Sequence, residues 1–431
     1  MKSKPGTLSQ TSALKISETT TREDTGQNQV VINWLRRVDP DRVFLKTTDR
    51  AWTYGETVAE VQQRVTEEPV VLTPGLDAES VFDVLAGVFG GGARVDSPLA
   101  TLVDSPEMNG ARLVVFTSGT TGVPKGVRLT FENLRAAAGA SVEHLDHDEF
   151  DTWLLAMPLG HVGGLSILVR SAYAGGAVRL LPEFDPVSFS IALHGDVTMV
   201  SVVPTMLHQV LEHDSGPYEG LRAVLVGGGP IPHGLLERGA DAGLPVLPTY
   251  GMTETFGQMA TLKPDSSLEG RAHPLPGIQL RIEPDGRIAV RGPQVSPGYL
   301  GEPDRADDWF VTSDLGELDD DGAVKVTGRA DDVIVTGGEN VDPTRVEIEL
   351  LALPGVTDVV VVGIPDEEWG EVVAAMYVGS ETEIALTAVL GQRLPRHMVP
   401  TRWLSVDAMP KTALDKDDRY AVLTLLEAQD W

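Results

Sequence analysis

Six short, almost unbroken apolar runs constrain this chain more than anything else in it: LVVF (113–116), TWLLAM (152–157), AVRLL (177–181), MVSVV (199–203), AVLVGG (223–228) and VVVVG (359–363). A strand with one wet face alternates apolar and polar residues. These runs do not, so both faces of their sheets must be covered. Amphipathic stretches lie between them, with helix starts expected near Thr130, Pro204 and Pro232. The pattern predicts an α/β fold with layered sheets and helices. At 431 residues and 42% hydrophobic content, there is enough chain for two or three domains and a large core.

The texture changes after about residue 275. QLRIEPDGRIAVRG carries a Pro-Asp-Gly hairpin turn, and ELDDDGAVKV reads as a second hairpin; the acidic triplet there fits a turn better than a metal site. From Pro343 the order is helix, strand, turn, strand, which predicts a small α+β module with a boundary near Arg329–Asp332. The expected organisation is a mobile leader over 1–28, rich in Ser and Thr, and a compact large domain over 29–328. A hinge at 329–331 and a small mobile α+β lid domain over 332–431 complete it.

Composition narrows the function. There is no cysteine, hence no disulfide, thiolate metal site or cysteine nucleophile; a cytoplasmic setting fits that. A net charge of −29 argues against nucleic acid as a partner. No apolar run approaches the ~20 residues of a membrane span, and the start lacks the pattern of a signal peptide.

The stretch TSGTTGVPKG (117–126) resembles a phosphate loop but is not a Walker loop, because no Ser or Thr follows its lysine. Gly119, Gly122 and Gly126 let backbone amides approach an anion. Thr117, Ser118, Thr120 and Thr121 add hydroxyl donors, and Lys125 adds a mobile charge. That inventory suits a flexible cover over a polyphosphate; a Gly/Thr-rich surface turn is the plain alternative.

TSGTTGVPKG is similar to the signature loop of the adenylate-forming superfamily, which holds acyl- and aryl-CoA ligases, peptide-synthetase adenylation domains and luciferases. Further matching segments follow in order: YGMTE (250–254), WFVTSDLG (309–316), GRADDVIVTGGENVDP (328–343) and PKTALDKDDR (410–419). The resemblance implies that ATP is bound by Thr117, Ser118, Gly119, Thr120, Thr121, Gly122, Lys125, Gly228, Gly229, Tyr250 and Gly251. Asp314 would take the ribose hydroxyls and Arg329 the ribose or phosphate. It further implies that Thr253 contacts the phosphate, Glu254 holds Mg²⁺, Asp331 is the hinge residue, and Gly337 and Gly338 let the pantetheine arm of coenzyme A pass. Lys416 would be the lysine that enters the site during adenylation, with Lys411 a competitor that the spacing disfavours. Ser313, Arg345 and Asp415 depart from the family's usual residues, and the region 55–110 looks shortened.

MPLGHVGGLSIL (157–168), SVVPTML (201–207), LVGGGPIP (225–232) and TYGMTETFGQ (249–258) most resemble the o-succinylbenzoate–CoA ligases of menaquinone biosynthesis. The implied partners are a small carboxylic acid, ATP and CoA, with room for a homo-oligomer. His161 would be catalytic, facing the substrate or the carboxylate being activated, and with Gly163, Thr205, Gly251 and Gln258 would shape the acid pocket, although Thr205 and Gln258 read equally well as helix-surface polarity. No arginine in these segments stands out as a clamp for a second carboxylate. A CoA ligase for another aryl or medium-chain acid, and a non-catalytic nucleotide-binding protein of the same fold, are the competing readings.

Overall fold

Five of the six apolar runs become neighbouring strands in two sheets. Thr152–Leu155, Ala177–Leu180, Met199–Val202 and Ala223–Val226 are parallel members of a nine-stranded sheet, and Ala111–Thr117 is central to a five-stranded one. The computed structural model describes residues 29–72, 75–95, 108, 110–117, 125–264, 266–268, 271–411, 417–429 and 431. The expected leader over 1–28 lies outside them. The strand at TWLLAM stops at Leu155 rather than Met157.

Both faces of the nine-stranded sheet are indeed covered. Trp153, Leu155 and Leu225 join one core with Leu113, Val115 and the helix Val162–Ala174, between the two sheets. Leu154, Val200, Val202, Val224 and Val226 join a second core with the helices Pro186–Leu193, Pro204–His213 and His233–Asp241. The expected helix starts hold: Thr130 caps Phe131–Leu145 with its side chain, and Pro204 occupies the first turn of its helix, where a missing N–H costs nothing.

The region expected to be shortened supplies the helices Tyr54–Arg64 and Ala78–Phe89 and the short strands Val70–Leu72 and Ala93–Val95. Those strands continue the five-stranded sheet in parallel. Both hairpins read from the sequence form a four-stranded antiparallel sheet, Gln279–Ile282 with Arg287–Arg291 and Phe310–Leu318 with Val324–Arg329.

A single 3₁₀ turn, Ala330–Asp332, then leads into a separate sheet. Its longest hairpin is Val356–Asp366 with Gly370–Gly379. Val359 and Val361 pack on one side with Val346, Leu350, Leu386 and Leu390. Val360 and Ile364 pack on the other with Val422 and Leu426. That double burial is why VVVVG has no polar face.

Candidate functional site

Chain order reverses between Thr152–Leu155 and Met199–Val202. Ala177–Leu180 lies on one side of this pair and Ala223–Val226 on the other. Loops leaving the carboxyl ends of the two strands therefore diverge and open a crevice, the usual ligand position of such sheets. A cavity of about 1450 Å³ fills it. Met157, Pro158 and His161 come from the first loop, Val203 and Thr205 from the second, and Gly227 and Gly228 from the third. Thr357, Asp358, Val378 and Lys411 of the small domain line it too.

Several of the expected nucleotide residues cluster around the strand Val246–Met252; Gly228, Gly251 and Thr253 line the cavity, and Tyr250, Glu254, Asp314 and Arg329 lie outside its lining. Asp314 and Arg329 are cross-strand partners, and the guanidinium lies 3.2 Å from the carboxylate. Tyr250 donates its hydroxyl to the other Asp314 oxygen at 2.7 Å. Burial, reinforced by the Asp314 charge, raises the Tyr250 phenol, so it stays protonated and donates. Arg329 also faces Asp331 and Asp332, each at 3.8 Å. A side chain at Gly251 would put its Cβ 2.0 Å from the Gly257 carbonyl, so only glycine allows the strand to close on its neighbour there.

Met252 leads into a one-turn 3₁₀ helix, Thr253–Thr255, which the left-handed Phe256 ends. Tyr299 donates to one Glu254 oxygen at 2.9 Å, and its phenol is raised by burial and by that carboxylate. The Lys125 ammonium sits over the Tyr299 ring, 5.2 Å from its centre. Lys125 pairs across the hairpin with Thr117. No group of three or more acidic or histidine side chains that could hold a metal occurs among the described residues. Glu254 nevertheless fits a magnesium ion that keeps waters and phosphate oxygens as its other ligands, since Tyr299 engages only one of its oxygens.

The expected acid pocket is apolar with a few polar groups. His161 precedes the helix Val162–Ala174 and does not cap it through its side chain; it lines the cavity with Gly163, Thr205 and Gln258. Gln258 has less freedom than a pocket donor needs. Its amide oxygen accepts from Ser141 at 2.8 Å and its nitrogen donates to Thr261 at 2.6 Å. Those two bonds fix its orientation in the cavity wall.

The sequence reading passed over Arg170. It is 4% exposed, lines the cavity and pairs with no carboxylate among the described residues. Its Nε donates to the Ser166 carbonyl at 3.1 Å and one terminal nitrogen to the Ser166 hydroxyl at 2.7 Å; the other has no partner. Burial alone lowers it to about 10, which leaves it charged at neutral pH. Helical spacing within LSILVRSA was the available signal: Arg170 is four residues beyond Ser166, on a helix buried on nearly every side.

Some expected residues are not brought together. Gly337 and Gly338 form the hairpin turn of the small domain, both at positive φ, and lie off the cavity wall beside Trp369. Lys411 lines the cavity but is ion-paired to Asp358 at 3.1 Å and to Asp417 at 2.5 Å. Ser118, Gly119, Thr120, Thr121, Gly122 and Lys416 lie outside the described residues.

Residues 35–300 match the family model of AMP-binding enzymes, and residues 345–416 match that of the AMP-binding enzyme C-terminal domain. The chain is 38% identical over 341 residues to a 2-succinylbenzoate–CoA ligase of Listeria monocytogenes, covering 76% of this chain and 73% of that one. With the enzyme of the same name from Geobacillus kaustophilus, identity is 40% over 340 residues, or 73% and 69% of the two chains. Among solved structures, Bacillus subtilis o-succinylbenzoate CoA synthetase with its acyl-adenylate intermediate matches at a TM-score of 0.80 and 31% identity, covering 90% of this chain and 97% of that one. The same enzyme with ATP and magnesium gives 0.82 and 30%, covering 92% and 99%. The chain belongs to the AMP-binding enzyme family, beside its 2-succinylbenzoate–CoA ligases.

Proposed function

We propose that this protein is a 2-succinylbenzoate–CoA ligase that works in two steps. In the first, a carboxylate oxygen attacks the α-phosphorus of ATP, and the bond to the bridging oxygen breaks to release pyrophosphate. In the second, the CoA sulfur attacks the acyl carbon of the adenylate, gives up its proton, and AMP leaves. Asp314 accepts from the ribose hydroxyls, with Tyr250 and Arg329 fixing its carboxylate. Thr253 and the loop ending at Lys125 face the phosphates. Glu254 would hold Mg²⁺, which supplies charge neutralisation at the phosphates. Lys416 enters for adenylation and leaves when the small domain turns about Asp331. Such a reaction needs mainly positioning and charge compensation.

The observation that carries the substrate is Arg170. A buried guanidinium with a spare N–H and no carboxylate partner among the described residues is half of an ion pair. An acid with two carboxylates supplies the other half while it presents its first to ATP. The place in menaquinone synthesis follows from that substrate.

The test is AMP release with ATP and CoA, comparing o-succinylbenzoate with 3-benzoylpropionate, which lacks the ring carboxylate. The diacid should lead by about 100-fold in kcat/KM, the scale of leaving a buried charged group unpaired. Arg170→Met should remove that lead and leave the monoacid nearly unchanged. Equal loss with both acids, or a wild-type preference for octanoate, would overturn the substrate and keep the reaction class.

A further inference from the structure

Arg170 raises a physical problem: what keeps a guanidinium charged inside a core where no carboxylate among the described residues pairs with it? Its central carbon lies 4.7 Å from the centre of the Trp153 ring, which is fully buried. An indole face is the best aromatic partner for a cation. It differs from a carboxylate in one decisive respect, since it stabilises the charge without using an N–H.

The ring is itself fixed from behind. Trp153 Nε1 donates to His147 Nδ1 at 3.3 Å. Indole nitrogen is only a donor, so His147 must be neutral at Nδ1 and carry its proton on Nε2. Burial lowers His147 to about 4, which keeps it in that form at neutral pH. Gly176 presses on the far side: a Cβ there would lie 2.9 Å from His147 Nε2.

We infer that Trp153, anchored by His147, is a positioning and specificity-determining residue: its π face holds Arg170 charged in the cavity wall while one terminal nitrogen keeps no protein partner, making the acid pocket a receptor for a second carboxylate. The inference rests on the role proposed above for Arg170. It assigns part of the substrate's selection to two buried residues that touch no ligand.

The readout is the ratio of kcat/KM for o-succinylbenzoate to that for 3-benzoylpropionate, measured beside thermal stability. Trp153→Phe should lower the ratio about fivefold and Trp153→Leu about thirtyfold, through the KM of the diacid, matching a desolvated cation–π contact. His147→Leu should lower it about threefold, whereas His147→Gln, which can still accept from the indole, should restore it. A structural role alone would depress both acids together; an unchanged ratio in the Trp153→Phe and His147→Leu proteins overturns the inference. Should Trp153→Leu not fold, Trp153→Phe and the two His147 variants carry the same comparison. Arg170→Met separates the failures. If it leaves the ratio intact, the reading of Arg170 falls; if it collapses the ratio while the Trp153 and His147 variants do not, only the platform falls.

Discussion

The proposed nucleotide end, beside the cavity, and the proposed acid end, in its wall, are built on opposite plans. At the nucleotide end the polar groups satisfy one another: Tyr250 and Arg329 hold Asp314, and Tyr299 holds Glu254. At the proposed acid end a buried cation has no anion among the described residues and rests on an aromatic face. A nucleotide is the same in every turnover, so its subsite can be closed over internal hydrogen bonds that the ligand joins. An acid has to be chosen from many, and an unpaired buried charge rejects each one that fails to pair with it.

This contrast predicts which changes affect every acid and which affect one. The largest effect is expected from Lys416→Ala. Adenylation should fall by roughly 100- to 1000-fold, as on losing one charge-stabilising donor, by the same factor for diacid and monoacid. Thioester formation from supplied acyl-adenylate should be spared; single-turnover assays of the two halves check this, and equal loss of both would remove the role given to Lys416. A drop confined to the diacid would break the comparison itself.

The acid end should also be the more acid-sensitive. His147 is lowered from 6.5 to about 4 by burial, with the nearby Asp151 opposing the shift. Between those values the unfolded chain binds a proton that the folded one refuses. Stability from this group is therefore complete above pH 6.5 and is lost as pH falls toward 4, by roughly 3 kcal/mol. Urea unfolding at pH 7, 5.5 and 4.5 should show the loss, and His147→Gln should flatten that part of the slope. An unchanged slope would mean that His147 titrates like an exposed histidine.

Tyr299→Phe should have the smallest effect. Losing one hydrogen bond to Glu254 should weaken Mg²⁺-dependent ATP binding about fivefold, read by calorimetry, with no change in acid preference. A shift in acid preference would show that the two ends are not separable.

Much of this was legible before the coordinates. Thr130 and Pro204 started their helices, the Asp-Gly hairpins paired, and VVVVG lay buried on both faces because no polar residue marked a wet one. Tyr250, Asp314 and Arg329, expected at the nucleotide, come together because they sit in contiguous segments on paired strands. Gly251 illustrates this: its role is fixed by its lack of a Cβ against the Gly257 carbonyl. Arg170 was not legible. In sequence it is one polar residue within LSILVRSA, and nothing local says whether it snorkels to water or points inward. Gln258 was ambiguous in sequence, readable as pocket donor or as surface polarity, and the structure places it in the cavity wall with Ser141 and Thr261 on the two ends of its amide.

The sequence by itself determined the layered α/β architecture, the small domain after the turn at Ala330–Asp332, and the chemical family. Each is written in local periodicity or in short motifs that act through their own backbone. Only the tertiary structure decided the chemistry of the acid pocket. Whether Arg170 has an anion beside it depends on the residues of other elements that surround it: Trp153 from a strand, Ser166 from one turn earlier in its helix, and His147 behind the ring. A missing partner is a property of three-dimensional packing, and no local pattern in the chain records it.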